Sequence, residues 1–407
     1  MTGPVPTHRH LVPTVALVAL LVTAGCGSSP SASQSGSGTS ASTTPQLGPW
    51  QGAFATAAPP TGVQLLRSVA CPTATRCWAV GTTVATATTP STAAMVTTST
   101  GGATWSIQTL PATVGFLTGI ACSSVRNCAA VGQVGTGGVG PGAVVSTVNG
   151  GATWQLQPVP AGTTDVTAVT CTTGAHCTAL ADIAGRVTAL TTVGVAGPWV
   201  AGGALPPTVS TGFSLSCTDA HDCWAVGTSP VDVGHTAGVV VTTADGGTTW
   251  ALQTVPPGTG ALQGIACTPP APSTSSTTAT TQPATATNCT AVGTTATDIS
   301  AGRSGQGVVL TTTTGGSTWV SDPVTPTSAD LLGVSCGAGP CVAVGTTVAS
   351  ADEAGVAVLT TAPGATSTAW RRSLVVPVPL PLSGITCQSL SACVAVGESV
   401  TAHLTTG

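Results

Sequence analysis

The sequence predicts an all-β fold, a seven-bladed β-propeller of four-stranded antiparallel blades, and three observations predict it. Cys pairs recur about every fifty residues along most of the 407-residue chain. Each interval holds four short runs rich in Val, Thr, Ala and Ile, bounded by Gly, Pro, Ser or Asn, and runs of that kind read as strands. Seven Cys units, starting at 71, 122, 171, 217, 267, 336 and 387, meet seven strand-leading Trp at 50, 105, 154, 199, 250, 319 and 370. Four short strands repeated at a period near fifty residues are the signature of propeller blades around a central channel.

Each unit reads in the same order. An apolar run ends at the first Cys, as in LLRSVAC, LTGIAC and LSGITC, and the second Cys opens another, as in CWAVG, CAAVG and CVAVG. A Val/Thr run follows (AMVTTST, VVVTTAD), then a Gly-Gly turn and a Trp lead the fourth run (GGATWSIQTLP, GGTTWALQTVP). The C-terminal AHLTTG stops at a third strand, while Gly48-Pro49-Trp50 and the residues after it match a fourth. The expectation is that residues 48–60 complete the last blade and close the ring.

The N-terminus predicts an address. Residues 11–25 are almost wholly apolar and end at Cys26. Fifteen such residues are too few to span a bilayer, which takes about 20, and they fit the core of a secretion signal. Ala24 and Gly25 directly before Cys26 resemble a bacterial lipobox, with Thr23 where an aliphatic residue is preferred. An ordinary secretion signal with an incidental Cys26 is the alternative. The expected division is a lipoprotein signal over 1–25, a Ser/Gly/Thr-rich tether over 26–47 and the propeller over 48–407. Lipid on Cys26 would hold the protein at the extracytoplasmic side of the cell membrane.

Export gives the cysteines meaning, because disulfides persist in oxidising compartments. The remaining fourteen fall into the pairs Cys71/Cys77, Cys122/Cys128, Cys171/Cys177, Cys217/Cys223, Cys267/Cys289, Cys336/Cys341 and Cys387/Cys393. Metal binding would want C-x-x-C spacing with two pairs brought together, and no such spacing is present, so seven local disulfides are expected and no metal. Residues 268–288, between Cys267 and Cys289, are a Ser/Thr/Pro insert that reads as a solvated excursion.

The Gly-Gly-x-Thr-Trp turn carries a family resemblance. Asp245-Gly-Gly-Thr-Thr-Trp250 resembles the Asp-box of BNR-repeat propellers, a superfamily that includes sialidases and photosystem assembly-factor-like proteins. Asn149 stands at the Asp position in one other unit, Thr100 and Thr314 in two more, and the units leading into Trp199 and Trp370 lack the Gly pair. The resemblance implies a propeller fold; as a structural turn it implies little about activity. A sialidase would need an Arg cluster, acid/base carboxylates and a Tyr nucleophile, and the chain has no Tyr.

Composition narrows the rest. The chain has eight Arg and no Lys, 5% charged residues and a net charge of −4, which excludes an electrostatic nucleic-acid binder. There is no P-loop, dinucleotide fingerprint, G-x-S-x-G or H-E-x-x-H, so no cofactor is expected. Strand reversal puts the disulfides and Gly-Gly turns on one face, and the longer second-to-third and fourth-to-first loops on the other. Eight of twelve acids fall in that second set: Asp165, Asp182, Asp232, Asp298, Asp330, Asp352, Glu353 and Glu398. The candidate binding face is Asp182, Arg186, Asp232, His235, Asp298, Arg303, Asp352, Glu353 and Glu398, since loops on a rigid scaffold commonly bind. The competing reading is that charges collect in loops only because strands are buried. Trp78 and Trp224, each directly after a second Cys, are read as blade packing rather than ligand stacking. The function expected is a monomeric, non-catalytic, lipid-anchored propeller that binds an envelope protein or glycan, or scaffolds an envelope assembly. The alternative is a glycoside hydrolase using carboxylates such as Asp352, Glu353 and Glu398.

Overall fold

A computed structural model describes residues 53–136, 140–172, 174, 176–232, 235–269, 287–295, 305–325, 330–337, 341–346, 355–359, 370–375, 381–389 and 391–405, all within the compact unit Pro49–Gly407. Cys26, Asp298, Arg303, Asp352, Glu353 and most of the 268–288 insert lie outside them. The strands, in order, are β1 (Ala53–Ala57), β2–β5 (Val63–Ala70, Cys77–Thr83, Ala93–Thr98, Ser106–Ile107) and β6–β9 (Val114–Cys122, Cys128–Val134, Gly142–Thr147, Gln155–Gln157). Then come β10–β13 (Thr163–Cys171, His176–Ile183, Arg186–Val193, Val200–Ala204) and β14–β17 (Thr211–Cys217, Cys223–Asp232, His235–Thr243, Ala251–Gln253). Strands β18–β21 are Leu262–Thr268, Asn288–Thr294, Gly307–Thr312 and Val320–Asp322, and β22 is Val324–Thr325. Last are β23–β26 (Leu331–Cys336, Cys341–Thr346, Gly355–Leu359, Trp370–Val375) and β27–β29 (Leu382–Ser389, Ala392–Gly397, Val400–Thr405).

The fold is a β-propeller of four-stranded antiparallel blades. Six sheets have four strands, and in five of them the order is simply sequential. The sixth is β1-β29-β28-β27, with Ala53–Ala57 antiparallel to Thr401–Thr405. A further sheet departs from the expected count. Its order is β22-β26-β25-β24-β23, because Val324 and Thr325, just past the outer strand of the preceding sheet, pair in parallel with Trp370 and Arg371. A second departure concerns 228–238, one of the second-to-third connections that the sequence places among the longer loops. A ladder runs from Thr228↔Gly238 to Pro230↔Thr236 and, past a register shift, to Asp232↔His235, so β15 and β16 form a long hairpin.

The second strands, and third strands such as β4 and β8, are buried on both faces, which is why they read as unbroken apolar runs rather than alternating ones. Neighbouring sheets cover one another. Trp78, Val80 and Met95 from one sheet share a core with Leu117, Ile120, Ala130 and Trp154 from the next. Val394 and Val396 of β28 likewise pack with Val63, Leu66 and Val96.

The CxAVG runs end in Gly for a steric reason. A Cβ on Gly227 would stand 1.8 Å from the Thr211 carbonyl oxygen, and on Gly81 1.8 Å from that of Leu65. Gly132, Gly293, Gly345 and Gly397 face the first strand in the same way, at 1.9–2.1 Å; only Ala181 stands in for Gly. Gly227→Ala should therefore push two paired strands apart and cost about 2–3 kcal/mol, as overpacked sites do. A urea denaturation midpoint unchanged from wild type would contradict this.

The disulfides form as expected. Cys71–Cys77, Cys122–Cys128, Cys171–Cys177, Cys217–Cys223, Cys267–Cys289, Cys336–Cys341 and Cys387–Cys393 all close, with Cα atoms 4.0–4.1 Å apart. The place of Cys393 in its strand needs correction. It was expected to open the second strand of the last unit, but β28 starts one residue earlier, at Ala392. A register shift between Cys387 and Ser389 lets Ser389 pair with Ala392, so the ladder continues past the bridge into the turn. Cys177 and Cys289 are likewise second in their strands, behind His176 and Asn288. Cys393 is buried in the core shared with Val342 and Val344 of β24, so its bridge is sheltered by the neighbouring sheet.

The loops that the bridges close dock on the Gly-Gly turns. Gly101, Gly150, Gly246 and Gly315 donate their N–H groups to the carbonyls of Thr75, Arg126, His221 and Thr287, at 2.9–3.0 Å. Disulfide loops and Gly-Gly turns thus share one face. Both glycines of each turn have φ between 65° and 101°, a left-handed region that other residues resist.

The turn keeps one hydrogen-bond pattern while its third residue varies. The hydroxyls of Thr98, Thr147, Thr243 and Thr312 accept from the second glycine's N–H at 3.0–3.2 Å. Asp245 accepts from the N–H groups of Thr248 and Thr249 and from the hydroxyls of Thr243 and Thr249. Those bonds, the Thr249 hydroxyl first, hold its pKa down to about 2. Asn149 accepts from Thr147 and the Thr153 N–H in the same geometry, and Thr100 and Thr314 accept from the Thr104 and Thr318 N–H groups. A lowered carboxyl pKa contributes stability above about pH 4 that fades as pH falls towards 2. Asp245→Asn should accordingly melt slightly below wild type at pH 7, with the gap closing by pH 2, whereas Asp245→Ala should melt lower at both. A gap between wild type and Asp245→Asn that does not narrow on acidification would refute the assignment.

Candidate functional site

The first strands converge on a channel. Every one of β2, β6, β10, β14, β18, β23 and β27 carries a β-bulge at the same place, marked by register shifts such as Leu66/Ser68, Leu117/Gly119 and Leu382/Gly384. A bulge inserts an unpaired residue and re-aims its side chain. The inserted residues are Arg67, Thr118, Thr167, Phe213, Gln263, Leu332 and Ser383, and all of them line one cavity of about 170 Å³. The next residue along is small in each strand: Ser68, Gly119, Ala168, Ser214, Gly264, Gly333 or Gly384. The reason is close approach. A Cβ on Gly333 would meet the Ser383 carbonyl at 3.1 Å, and one on Gly384 the Arg67 carbonyl at 2.8 Å.

The scaffold positions therefore repeat while the bulged positions differ in chemistry. Thr118 spends its hydroxyl on the Val131 and Val166 carbonyls, and Thr167 on that of Leu180. Gln263 and Ser383 make no side-chain hydrogen bond among the described residues. Arg67 is the one charged side chain lining the cavity there. Its guanidinium carbon lies 5.0 Å from the Phe116 ring centroid, and it has no ion pair among the described residues. Crowding by the walls lowers its pKa from the ordinary arginine value, yet a guanidinium stays charged at neutral pH.

Arg67 also faces a second cavity of about 330 Å³, on the face away from the disulfides, together with Gln64, Leu65, Thr82, Ser91, Gly115, Phe116 and Glu398. Glu398 is its one carboxylate among the described residues. It belongs to the two-residue turn between β28 and β29, where Ser399 has φ 50° and donates its N–H to the Gln64 carbonyl at 2.7 Å. That bond fixes the turn of the last sheet against the start of β2.

The other expected binding residues that the structure describes are spread apart. Asp182 serves its own hairpin, accepting from the Gly185 N–H at 3.0 Å and the Thr164 hydroxyl at 2.9 Å. Ala184 and Gly185 both have positive φ, as a tight two-residue hairpin turn requires. Arg186 donates to the Leu205 carbonyl at 3.3 Å. Asp232 and His235 form an exposed pair with each other at the tip of the long hairpin. Asp165 stands opposite Asp182 in the ladder, and burial pushes its carboxyl above the usual range, with the Asp182 charge adding to the effect. Of the five expected residues that the structure describes, only Glu398 lies beside the channel, and the bulge residues were not among the nine. Their signal was present in the sequence, as the position of the LxGxxC run that ranges from Arg and Gln through Thr and Ser to Phe and Leu.

Solved structures with this architecture are known. A structure of YCF48 bound to a D1 peptide is 13% identical, with a TM-score of 0.56, over 87% of this chain and 95% of that one. YCF48 from Cyanidioschyzon merolae gives 14% identity and a TM-score of 0.55, over 87% and 99%. A virginiamycin B lyase from Staphylococcus aureus, seen with quinupristin, gives 11% and 0.57, over 88% and 100%. Similarity this low establishes the fold alone. No family model and no curated protein matches the chain.

Proposed function

We propose that this chain is a non-catalytic binding module, anchored by lipid on Cys26 at the outer face of the cell membrane, whose channel mouth engages a segment of another protein. In this reading the propeller is a seven-bladed ring. The four strands β23–β26 are its sixth blade, with β22 added at the rim, and β1 completes the last. Several observations support the ring: the first strands of all the sheets line one cavity, β27 packs on β2, and a Cβ on Gly102 would meet His403 of β29 at 3.0 Å.

The observation that carries the binding reading is the contrast at the bulges. Neighbouring positions repeat from unit to unit, whereas the channel positions run through Arg, Thr, Phe, Gln, Leu and Ser. A purely architectural ring has no use for such variety. Hydrolysis of a glycosidic bond needs two carboxylates flanking the scissile bond, and Glu398 has no second carboxylate lining its cleft among the described residues. A propeller of similar fold has been seen with a bound peptide, which is in keeping with a protein ligand.

In-cell crosslinking from photoreactive groups placed at Ser91 and Val231, followed by mass spectrometry, tests the reading. A defined envelope protein should be captured at Ser91 and lost when Glu398 and Arg67 are changed together. No capture above background, or turnover of a glycoside panel abolished by Glu398→Gln, would overturn it. Fractionation tests the anchor separately, since Cys26→Ser should release the protein from the membrane.

A further inference from the structure

We infer that the bulge ring is a carboxylate-binding site, with Arg67 as the anchor for a chain end or acidic side chain that a partner polypeptide inserts into the channel mouth. The inference rests on the binding-module reading and names the chemistry of the ligand. Arg67 is a charged group without a counter-ion among the described residues, held in place over the Phe116 ring. Its fork of donors matches a carboxylate in two parallel charge-assisted hydrogen bonds. Gln263 and Ser383 line the same cavity with no side-chain hydrogen bonds among the described residues, so polar groups that complete a carboxylate's coordination are at hand. Phe213 and Leu332 supply apolar wall for the methylenes behind the carboxylate.

The channel cavity by itself has the size of a chain end or side chain. The channel cavity holds about 170 Å³, below the roughly 300 Å³ at which enclosed small-molecule sites begin. The adjoining cleft of about 330 Å³ shares Arg67 with it and has room for the residues that follow. Glu398 in that cleft sets the orientation, because it repels a second acid and accepts from backbone N–H groups or a cationic neighbour.

The test uses the full chain in detergent micelles and a soluble library of random octapeptides with free C-termini. Retained peptides should be rich in Asp or Glu, or should bind only with the terminal carboxylate free. Resynthesis as C-terminal amides, and separately with Asp and Glu changed to Asn and Gln, tells a chain end from a side chain. Arg67→Gln should weaken the best peptide at least roughly tenfold, the effect of losing a hydrogen-bonded charge. Arg67→Lys should fall between that and wild type, and Arg126→Gln, in a disulfide loop, should not change binding. Unchanged melting of Arg67→Gln shows that the loss is local. Retained peptides without Asp or Glu that bind equally well as C-terminal amides, or equal binding by Arg67→Gln, would sink the proposal. A polyuronate bound through Arg67 where no peptide is retained would overturn the polypeptide assignment. A crosslinked partner indifferent to Arg67→Gln would end the carboxylate idea and leave the binding module standing.

Discussion

Reduction of the disulfides should unfold this protein at 37 °C, with a red shift of tryptophan emission and loss of the cooperative melting transition. The expectation comes from loop closure. Six of the bridges span 5 or 6 positions and are each worth about 2 kcal/mol by the chain-entropy estimate. Cys267–Cys289 spans 22 positions and is worth about 3 kcal/mol on the same scale. Together they match the upper end of the roughly 5–15 kcal/mol by which domains are normally stable. The strands cannot make up the loss, because Ala, Val, Thr and Gly bury less apolar area per residue than Leu or Phe. Tryptophan reports the event directly, since Trp78 and Trp370 are fully buried and Trp154, Trp199 and Trp319 nearly so. Among single-pair replacements by Ser, the Cys267/Cys289 pair should cost the most. A reduced protein that keeps its blue-shifted emission and its melting transition would show that the blades hold without their bridges.

The repeat made the architecture legible. A Cys pair fixes where two strands turn, and a Gly-Gly-x-Thr-Trp run fixes where two others do, so strand order followed without any pairing information. Both signals are local, and both are set by backbone geometry that tolerates few residues. What could not be read was a departure set by register. Nothing in Val324 and Thr325 distinguishes a loop from an added parallel strand until the neighbouring sheet offers its edge. The pairing of Ser389 with Ala392 ahead of Cys393 is a register effect of the same kind, at the scale of one residue. The extended hairpin at 228–238 was hidden for a similar reason, since Pro230 reads as a loop residue when its place in a ladder is unassigned.

The site was less legible than the fold. Charge on loops pointed to Asp182, Arg186, Asp232 and His235, and in the structure these satisfy their own hairpins or each other. Short polar side chains beside a turn find local partners more easily than distant ones, so an acid in a loop is a poor guide to a ligand. Arg67 carried the better signal. It sits within an apolar first strand, where a charged side chain needs a special outlet, and the bulge provides it. Reading the units against one another at that position, rather than reading charge along the chain, finds the channel.

Replacing Trp78 by Ala should cost about 3–5 kcal/mol, the usual range for truncating a buried aromatic. Trp78 is fully buried although it lies on a second strand whose counterparts are mostly small: Ala129, Thr178, Thr290, Val342 and Val394. It reaches the Gly-Gly turn of the next sheet, where a Cβ on Gly151 would come within 2.8 Å of its indole nitrogen. Arg76 closes the contact from outside, its guanidinium 4.7 Å from the ring centroid while it donates to the Gly150 carbonyl at 3.1 Å. Trp224 repeats the device three units on, donating its indole N–H to the Gly315 carbonyl at 3.0 Å. Each of these Trp ties its sheet to the next. If Trp78 acts as such a tie, Arg76→Ala alone should cost about 0.5–1 kcal/mol, the value of a partly exposed cation–π contact. The double variant should then cost less than the two single changes combined, because the guanidinium has lost its ring. Strict additivity would mean that Arg76 stabilises the turn without help from Trp78. A small effect of Trp78→Ala would mean that the following sheet relaxes into the space and that the two sheets do not depend on this contact.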